Sequence, residues 1–340
     1  MRALRRLALV AALAAISSAQ ADVALLMRPD VQRFIDEQVA GGELNRAELE
    51  AVFANVEAKP NIIAVMDKPS TARPWYQFRP NFYSDKLMQD GVTFWQQNEA
   101  ALLRAQQQYQ VEPEIIVAIL GIETRYGRVT GNYRLADALS TLAFDYPRRA
   151  DFFRGELAEF LRLARSENVN ALSLKGSYAG AMGMPQFMPS SYRKWAVDFD
   201  GDGHRDIWNN PADAIGSVGN YFQLHGWLGG DDVVIPAEVT PGAAIDALVA
   251  DKFNLHYTVA ELKARGVIPS ATVRDDALAV LVPLEVAPGD TRYWLGLNNF
   301  YTITRYNKST LYAMVTHELA AEIRNRYLAA RYTPAQPAAN

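Results

Sequence analysis

Apolar residues return at helical spacing through most of the chain up to about residue 225, and this pattern limits it to a mainly helical framework. Val31, Phe34, Ile35 and Val39, then Leu49, Val52 and Phe53, mark helix within 25–64. Arg73-Pro74-Trp75-Tyr76-Gln77-Phe78-Arg79-Pro80 is an aromatic, proline-flanked connection, and a long helix is predicted over 91–110. Pro113 suits the first turn of the next helix, which runs through Ile115, Ile116, Ala118, Ile119 and Ile122 and ends near Gly127. More helix is expected over 135–141, 148–165, 188–197 and 211–225. The character changes after Trp227: 232–240 and 277–286 are rich in valine and leucine and sit among Pro-Gly pairs, so they read as strands around a short helix at 258–265. Amphipathic helix returns over 309–332, and the Pro/Ala-rich end at 333–340 is expected to fray. The class is mainly α within α+β, and 340 residues exceed one ordinary core, so two or three packed units are expected.

The start of the chain carries an address. Arg2, Arg5 and Arg6 precede an apolar run from Leu7 to Ile16, and Ala19-Gln20-Ala21 supplies the small residues a signal peptidase reads. The run is shorter than a membrane span, so 1–21 reads as an export signal cleaved before Asp22 rather than as a retained anchor. No later stretch approaches a span, and the mature protein is expected to be soluble. The chain has no cysteine, so its stability must come from core burial, and cysteine nucleophiles, thiolate metal sites and a lipid-modified cysteine are excluded. A net charge of −4 argues against nucleic acid as a partner. His204, His225, His256 and His317 are scattered without metal-ligand spacing, against a zinc amidase.

Gly121-Ile122-Glu123-Thr124-Arg125-Tyr126-Gly127 closes the most apolar helix. Glu123 follows Ile119 by four residues and shares part of its apolar face, where a carboxyl is disfavoured in its charged form and its pKa rises. A proton held near neutrality is what a general acid for glycosidic cleavage needs. A surface carboxylate paired with Arg125 or Arg128 is the competing reading of this segment by itself. The run from Lys175 to Tyr192 combines three glycines with small residues, so backbone can approach a ligand closely, and Gln186 offers both a donor and an acceptor. A tight helix-to-helix connection is the alternative there. Asp198, Asp200 and Asp202, with Gly203 at position 6 and the His204 carbonyl at position 7, follow the start of an EF-hand loop. Position 9 is Asp206, and position 12 is Asn209 instead of the usual glutamate. A metal-free acidic turn is the other reading, though three carboxylates so close repel without a cation.

Gly-Ile-Glu-Thr-Arg-Tyr-Gly at 121–127 and Tyr-Pro-Arg-Arg at 146–149 are joined by the long motif at 175–192, Asp-Ala-Ile-Gly-Ser at 213–217 and Asn-Phe-Tyr-Thr-Ile-Thr-Arg-Tyr-Asn at 299–307. Together, and in this order, they resemble the lytic murein transglycosylases of the membrane-bound B type, whose core is similar to goose-type lysozyme. The resemblance implies a lysozyme-like catalytic core at 106–231, carrying an EF-hand-like loop at 198–213. A flanking helical region is expected at 22–105, packing with 309–332, with a small β-containing subdomain at 232–290 read from its valine- and leucine-rich runs, and a cleft segment at 291–308. The resemblance implies a periplasmic enzyme acting on peptidoglycan glycan strands, with partners among cell-wall synthesis or remodelling proteins and no organic cofactor. Glu123 would be the sole acid and base, cleaving the MurNAc-β-1,4-GlcNAc bond and leaving a 1,6-anhydroMurNAc end. Arg148 and Arg149 would contact the glycan or its carboxylates, Ser177 and Gln186 would lie near the acid, and Phe187, Met188, Tyr221 and Tyr301 would form the cleft wall. Asp213 would close a structural calcium site with Asp198, Asp200, Asp202 and His204. Two cleft tyrosines of some relatives correspond to Leu295 and Phe78, and Asp137 and Asp145 read as cap or loop residues. A hydrolytic muramidase and a non-catalytic peptidoglycan-binding scaffold are the alternatives.

Overall fold

Proline opens the helices Pro29–Ala40, Pro60–Met66, Pro113–Thr124 and Pro211–Leu224, where its fixed φ and missing N–H suit the first turn. The computed structural model describes residues 24–67 and 73–332, so the export signal at 1–21 and the tail at 333–340 lie outside the described residues. Two compact units result: 24–67 with 130–194, and 73–129 with 195–332. This division cuts across the expected one. The stretch 22–105, read as a single region, contributes to both units, and the segment 106–231 changes unit after Val129 and again after Lys194.

The first unit is helical around Leu135–Asp145, which is buried from Leu135 through Phe144. Phe34, Phe53 and Phe144 meet edge to face with centroids 5.7 to 6.1 Å apart, a favoured geometry for aromatic rings. Asp137 is buried but fully engaged: Arg134 donates to both its oxygens at 2.9 and 2.7 Å and the Glu57 backbone N–H at 3.0 Å. Asp145 pairs with Arg28 at 2.6 Å. Both act as ties between segments. Buried Glu156 accepts from Ser190 N and Oγ at 2.9 and 2.7 Å, which fixes the start of the helix Pro189–Trp195.

In the second unit the helix Pro113–Thr124 is buried from Ile115 to Gly121 and packs against the C-terminal helix Thr310–Tyr332 and against Asp85–Gln97. Trp95 stacks on Tyr327 at 4.3 Å, tying those two partners together. The single helix expected over 91–110 is two, Asp85–Gln97 and Glu99–Tyr109. Asn98 breaks it, its side-chain amide bonding back to the Phe94 carbonyl at 2.8 Å in competition with the helix ladder.

A five-stranded antiparallel sheet runs in the order Tyr257–Thr258, Leu278–Ala287, Asp290–Gly296, Val234–Val239, Val267–Pro269. The two expected strands are present. The third long one, Asp290–Gly296, falls from residue 291 on within the segment expected to return to the cleft, but it forms a hairpin with Leu278–Ala287. Leu295 therefore does not stand at a cleft. It is fully buried with Ala237, Leu248, Val259, Leu262, Val267, Ala279 and Leu281 in the sheet's own core. Phe78 is half-buried and packs on Trp75 and Phe82.

Candidate active site

The helix that carries Glu123 ends abruptly. Arg125, Tyr126 and Gly127 adopt φ of 51°, 61° and 86°, three left-handed residues in succession. Arg125 N–H reaches Gly121 O and Tyr126 N–H reaches Leu120 O, both at 3.0 Å, satisfying carbonyls that the last turn leaves open. Thr124 Oγ1 accepts the Gly127 N–H at 3.0 Å. The reversal folds Tyr126 under its own helix, where its hydroxyl donates to the Leu87 carbonyl at 2.9 Å and its ring stacks on Phe94. Glycine at 121 and 91 makes this room: a Cβ would lie 2.6 and 2.5 Å from the Tyr126 hydroxyl oxygen. The motif thus anchors the last helical turn, and with it Glu123.

Glu123 is half-buried. Burial pushes its carboxyl from an ordinary 4.5 up to about 7, against the opposing pull of a hydrogen bond donated by the Tyr312 hydroxyl to Oε1 at 2.6 Å. The competing surface-pair reading does not describe this geometry. Arg128 pairs with Asp90, Arg125 points into solvent at an exposed position, and no cation forms an ion pair with Glu123 among the described residues. Burial likewise holds the phenols of Tyr312 and Tyr306 well above their usual range, and Glu123 contributes to both shifts. Such a carboxyl is protonated often enough near neutrality to donate and ionises readily enough to accept.

Tyr221 and Tyr301 differ from one another. Tyr221 is only 6% exposed; its ring stacks on His225 at 3.9 Å and its hydroxyl donates to the Arg305 carbonyl at 2.7 Å. It supports the site from within instead of presenting a wall. Tyr301 is half-buried, with the Arg305 guanidinium 5.4 Å from its ring centre.

In the other unit, Ser177 to Gly180 form a tight turn closed by Gly180 N–H to Ser177 O at 3.1 Å. Ser177 Oγ accepts from Ala179 and Ala181 N–H at 3.3 and 3.0 Å, which leaves its hydroxyl proton to be donated outward. Gln186 sits at φ 52° and its amide nitrogen donates to Thr130 O at 3.1 Å and Gly183 O at 2.9 Å. Both its donors are spent on backbone, so the donor-and-acceptor role narrows to a carbonyl acceptor. Phe187 is 3% exposed and pairs through its backbone with Met182, so its ring is core and not cleft wall. Met188 is half-buried. Arg148 is exposed and pairs with Asp67 at 3.1 Å, while Arg149 covers the Phe152 ring at 4.2 Å. Exposed Tyr178, at the tip of the turn, did not figure among the expected contacts.

The acidic loop brings oxygens of Asp198, Asp200 and Asp202 within 4.8 Å of one another. Gly201 and Gly203 at φ 82° and 94° curl the backbone so that their N–H groups both reach Asp198 at 2.8 Å. The donor set is hard oxygen, the chemistry calcium selects. His204 donates its backbone N–H to Asp202 at 2.8 Å. Asp213 stands outside the cluster of three. It is fully buried, and its oxygens accept Phe199 N–H at 2.6 Å and Asp206 N–H at 2.8 Å, clasping the two ends of the loop. Burial raises its pKa, with the charge of nearby Asp200 adding to the effect.

Tyr312 and Glu156 lie outside the motifs of the sequence, whereas Tyr306 lies within 299–307 and Tyr126 and Thr124 within 121–127, where the glycine spacing around the latter two is the available signal.

The chain matches the family described as Transglycosylase SLT domain over residues 27–321. It is 46% identical over 306 residues to the membrane-bound lytic murein transglycosylase B of Escherichia coli (strain K12), covering 87% of this chain and 82% of that protein. Among solved structures it resembles the catenated lytic transglycosylase SltB1 from Pseudomonas aeruginosa, with a TM-score of 0.85, 47% identity, and coverage of 88% of this chain and 98% of that one. It also resembles the Escherichia coli lytic transglycosylase Slt35 in complex with calcium, with a TM-score of 0.81, 45% identity, and coverage of 88% and 94%.

Proposed function

Given that the chain belongs to the transglycosylase SLT domain family and is a peptidoglycan lytic transglycosylase of lysozyme-like fold, we propose that Glu123 is its only acid and base. The protonated carboxyl donates to the oxygen linking N-acetylmuramic acid to N-acetylglucosamine as the C1–O bond breaks. The sugar's own acetamido oxygen steadies C1. The carboxylate then takes the proton of the muramyl C6 hydroxyl while O6 bonds to C1, which regenerates the acid and consumes no water. The observation that carries this reading is a single carboxyl held at about 7, to which no other carboxylate contributes a shift. Asp137 and Asp145 are committed to arginines.

Substrate contact is proposed for Arg148, Arg149, Ser177, Gln186, Met188 and Tyr301, whose polar groups or partial exposure leave something to offer a sugar or carboxylate. Phe187 and Tyr221 are buried, each within its own unit. The acidic loop is proposed to hold a calcium ion through Asp198, Asp200, Asp202 and the His204 carbonyl, with Asp213 as the remaining ligand of the family pattern. When bound, the ion neutralises clustered charge and braces the loop, and it takes no part in proton transfer. Export to the periplasm after removal of 1–21 is proposed from the basic, apolar and small-residue order of that segment. Among the described residues no helix is long and apolar enough to cross a membrane. Partners among cell-wall synthesis or remodelling proteins would meet the enzyme there.

The test is the mass of fragments released from purified sacculi. Anhydromuropeptides, one water lighter than hydrolysis products, are expected from the wild type and none from Glu123→Gln. Reducing ends would convert the reading to a muramidase, and full cleavage by the variant would remove Glu123 from the chemistry.

A further inference from the structure

Tyr312 comes to Glu123 from 189 residues further along the chain. Its place in the first turn of the C-terminal helix is fixed on both sides. Ser309 Oγ accepts its backbone N–H at 3.2 Å, and Thr316 Oγ1 donates to its carbonyl at 2.9 Å. The ring is 5% exposed, with Tyr306 and Tyr221 near enough to perturb its phenol. A tyrosine so held cannot swing between the two oxygens of a carboxyl.

We infer that Tyr312 is the positioning residue that selects which oxygen of Glu123 reacts: its hydroxyl holds Oε1, and Oε2 carries the proton. This rests on the assignment of Glu123 as the acid and base. The two oxygens of an isolated carboxyl are equivalent. A donor fixed on one of them favours the tautomer with the proton on the other, because the carbonyl oxygen accepts better than a hydroxyl oxygen does. The proton therefore leaves from Oε2 to the bridging oxygen as C1–O breaks, and the C6 hydroxyl proton returns to Oε2 as O6–C1 forms. Between these events the carboxylate is an anion, and the Tyr312 bond is then at its strongest because its acceptor is charged. Tyr312 from the C-terminal helix and Tyr306 from Asn298–Tyr306 are the titratable groups coupled to the carboxyl, with Tyr221 of Pro211–Leu224 beyond them. The helices Asp85–Gln97 and Glu99–Tyr109 bring none that shifts it.

The experiment is the pH dependence of glycan-strand cleavage by the full chain carrying Tyr312→Phe. The expected result is a kcat lower by roughly ten- to hundredfold with KM within about twofold, since the bond matters most once the acid ionises. The limb on the alkaline side, where the acid form is lost, should move up by about one pH unit because a donor that favoured the anion is gone. Incorporating 3-fluorotyrosine at 312 keeps the shape and strengthens the donor, so that limb should move down with cleavage retained. This second variant also decides the matter if the Phe variant melts at the assay temperature. A Phe variant with wild-type kcat and pH profile would overturn the inference, as would a fluorotyrosine variant whose limb does not move. Glu123→Gln separates the two levels: if it cleaves normally the acid assignment itself fails, whereas if it is silent and Tyr312→Phe is unaffected, only the role of Tyr312 fails.

Discussion

Replacing Glu123 by glutamine keeps the side chain's shape and an acceptor for the Tyr312 hydroxyl, but abolishes the proton equilibrium. In the folded chain that equilibrium lies at about 7, and in an unfolded chain at the ordinary 4.5. Between those values the folded state holds a proton that the unfolded state has released. Wild-type stability therefore falls as pH rises through this window and levels off above it, because the slope follows protons bound unfolded minus protons bound folded. A displacement of this size corresponds to about 3 kcal/mol. Glu123→Gln lacks this loss. Any fixed cost of burying the amide is the same at every pH, so it cancels when differences are compared across the series. The gap in stability between variant and wild type should widen in the variant's favour by about 3 kcal/mol from about pH 4 to about pH 8. For a unit of this size that is a relative gain in Tm of roughly 6 °C or more. Thermal melts of both proteins through the pH series measure it. A Tm difference that stays constant across the series would show that Glu123 titrates as an ordinary exposed carboxylate, and the argument for a poised acid would fail with it.

Two further outcomes follow from the geometry. Gly121→Ala puts a methyl 2.6 Å from the Tyr126 hydroxyl and should destabilise by about 1–3 kcal/mol as overpacking does, with activity falling further than melting explains because Glu123 is two residues away; an unchanged melt would show the close approach to be relaxed. Adding calcium to chelator-treated protein should raise Tm, by the equivalent of about 2.7 kcal/mol at a hundredfold excess over Kd, and Asp200→Asn should weaken the response; a melt indifferent to calcium in the wild type would remove the metal site.

Features encoded within one element were legible in the sequence, and features assembled from distant elements were not. The helix ending at Glu123 was readable because its apolar residues, opening proline and closing glycine all lie within fifteen residues of one another. The acidic loop was readable for the same reason, since the oxygens of Asp198, Asp200 and Asp202 converge through the turn that joins them. Leu295 is hard to place from sequence because Asp290–Gly296 runs from three exposed residues to a buried end without alternation, and only its pairing with Leu278–Ala287 marks it as a strand. Phe187 was misplaced because an aromatic beside glycines suits a sugar as well as it suits a core, and only the fold shows it to be covered. Tyr312 is the sharpest case. On its own helix it is followed by buried Ala313, Met314 and Val315 and reads as one more core aromatic, like Tyr109, which packs against Phe199. Spacing reports which face of an element is covered but not what covers it. A hydroxyl that meets a carboxyl 189 residues away is specified by the packing of Thr310–Tyr332 on Pro113–Thr124, a relation that neither segment carries alone.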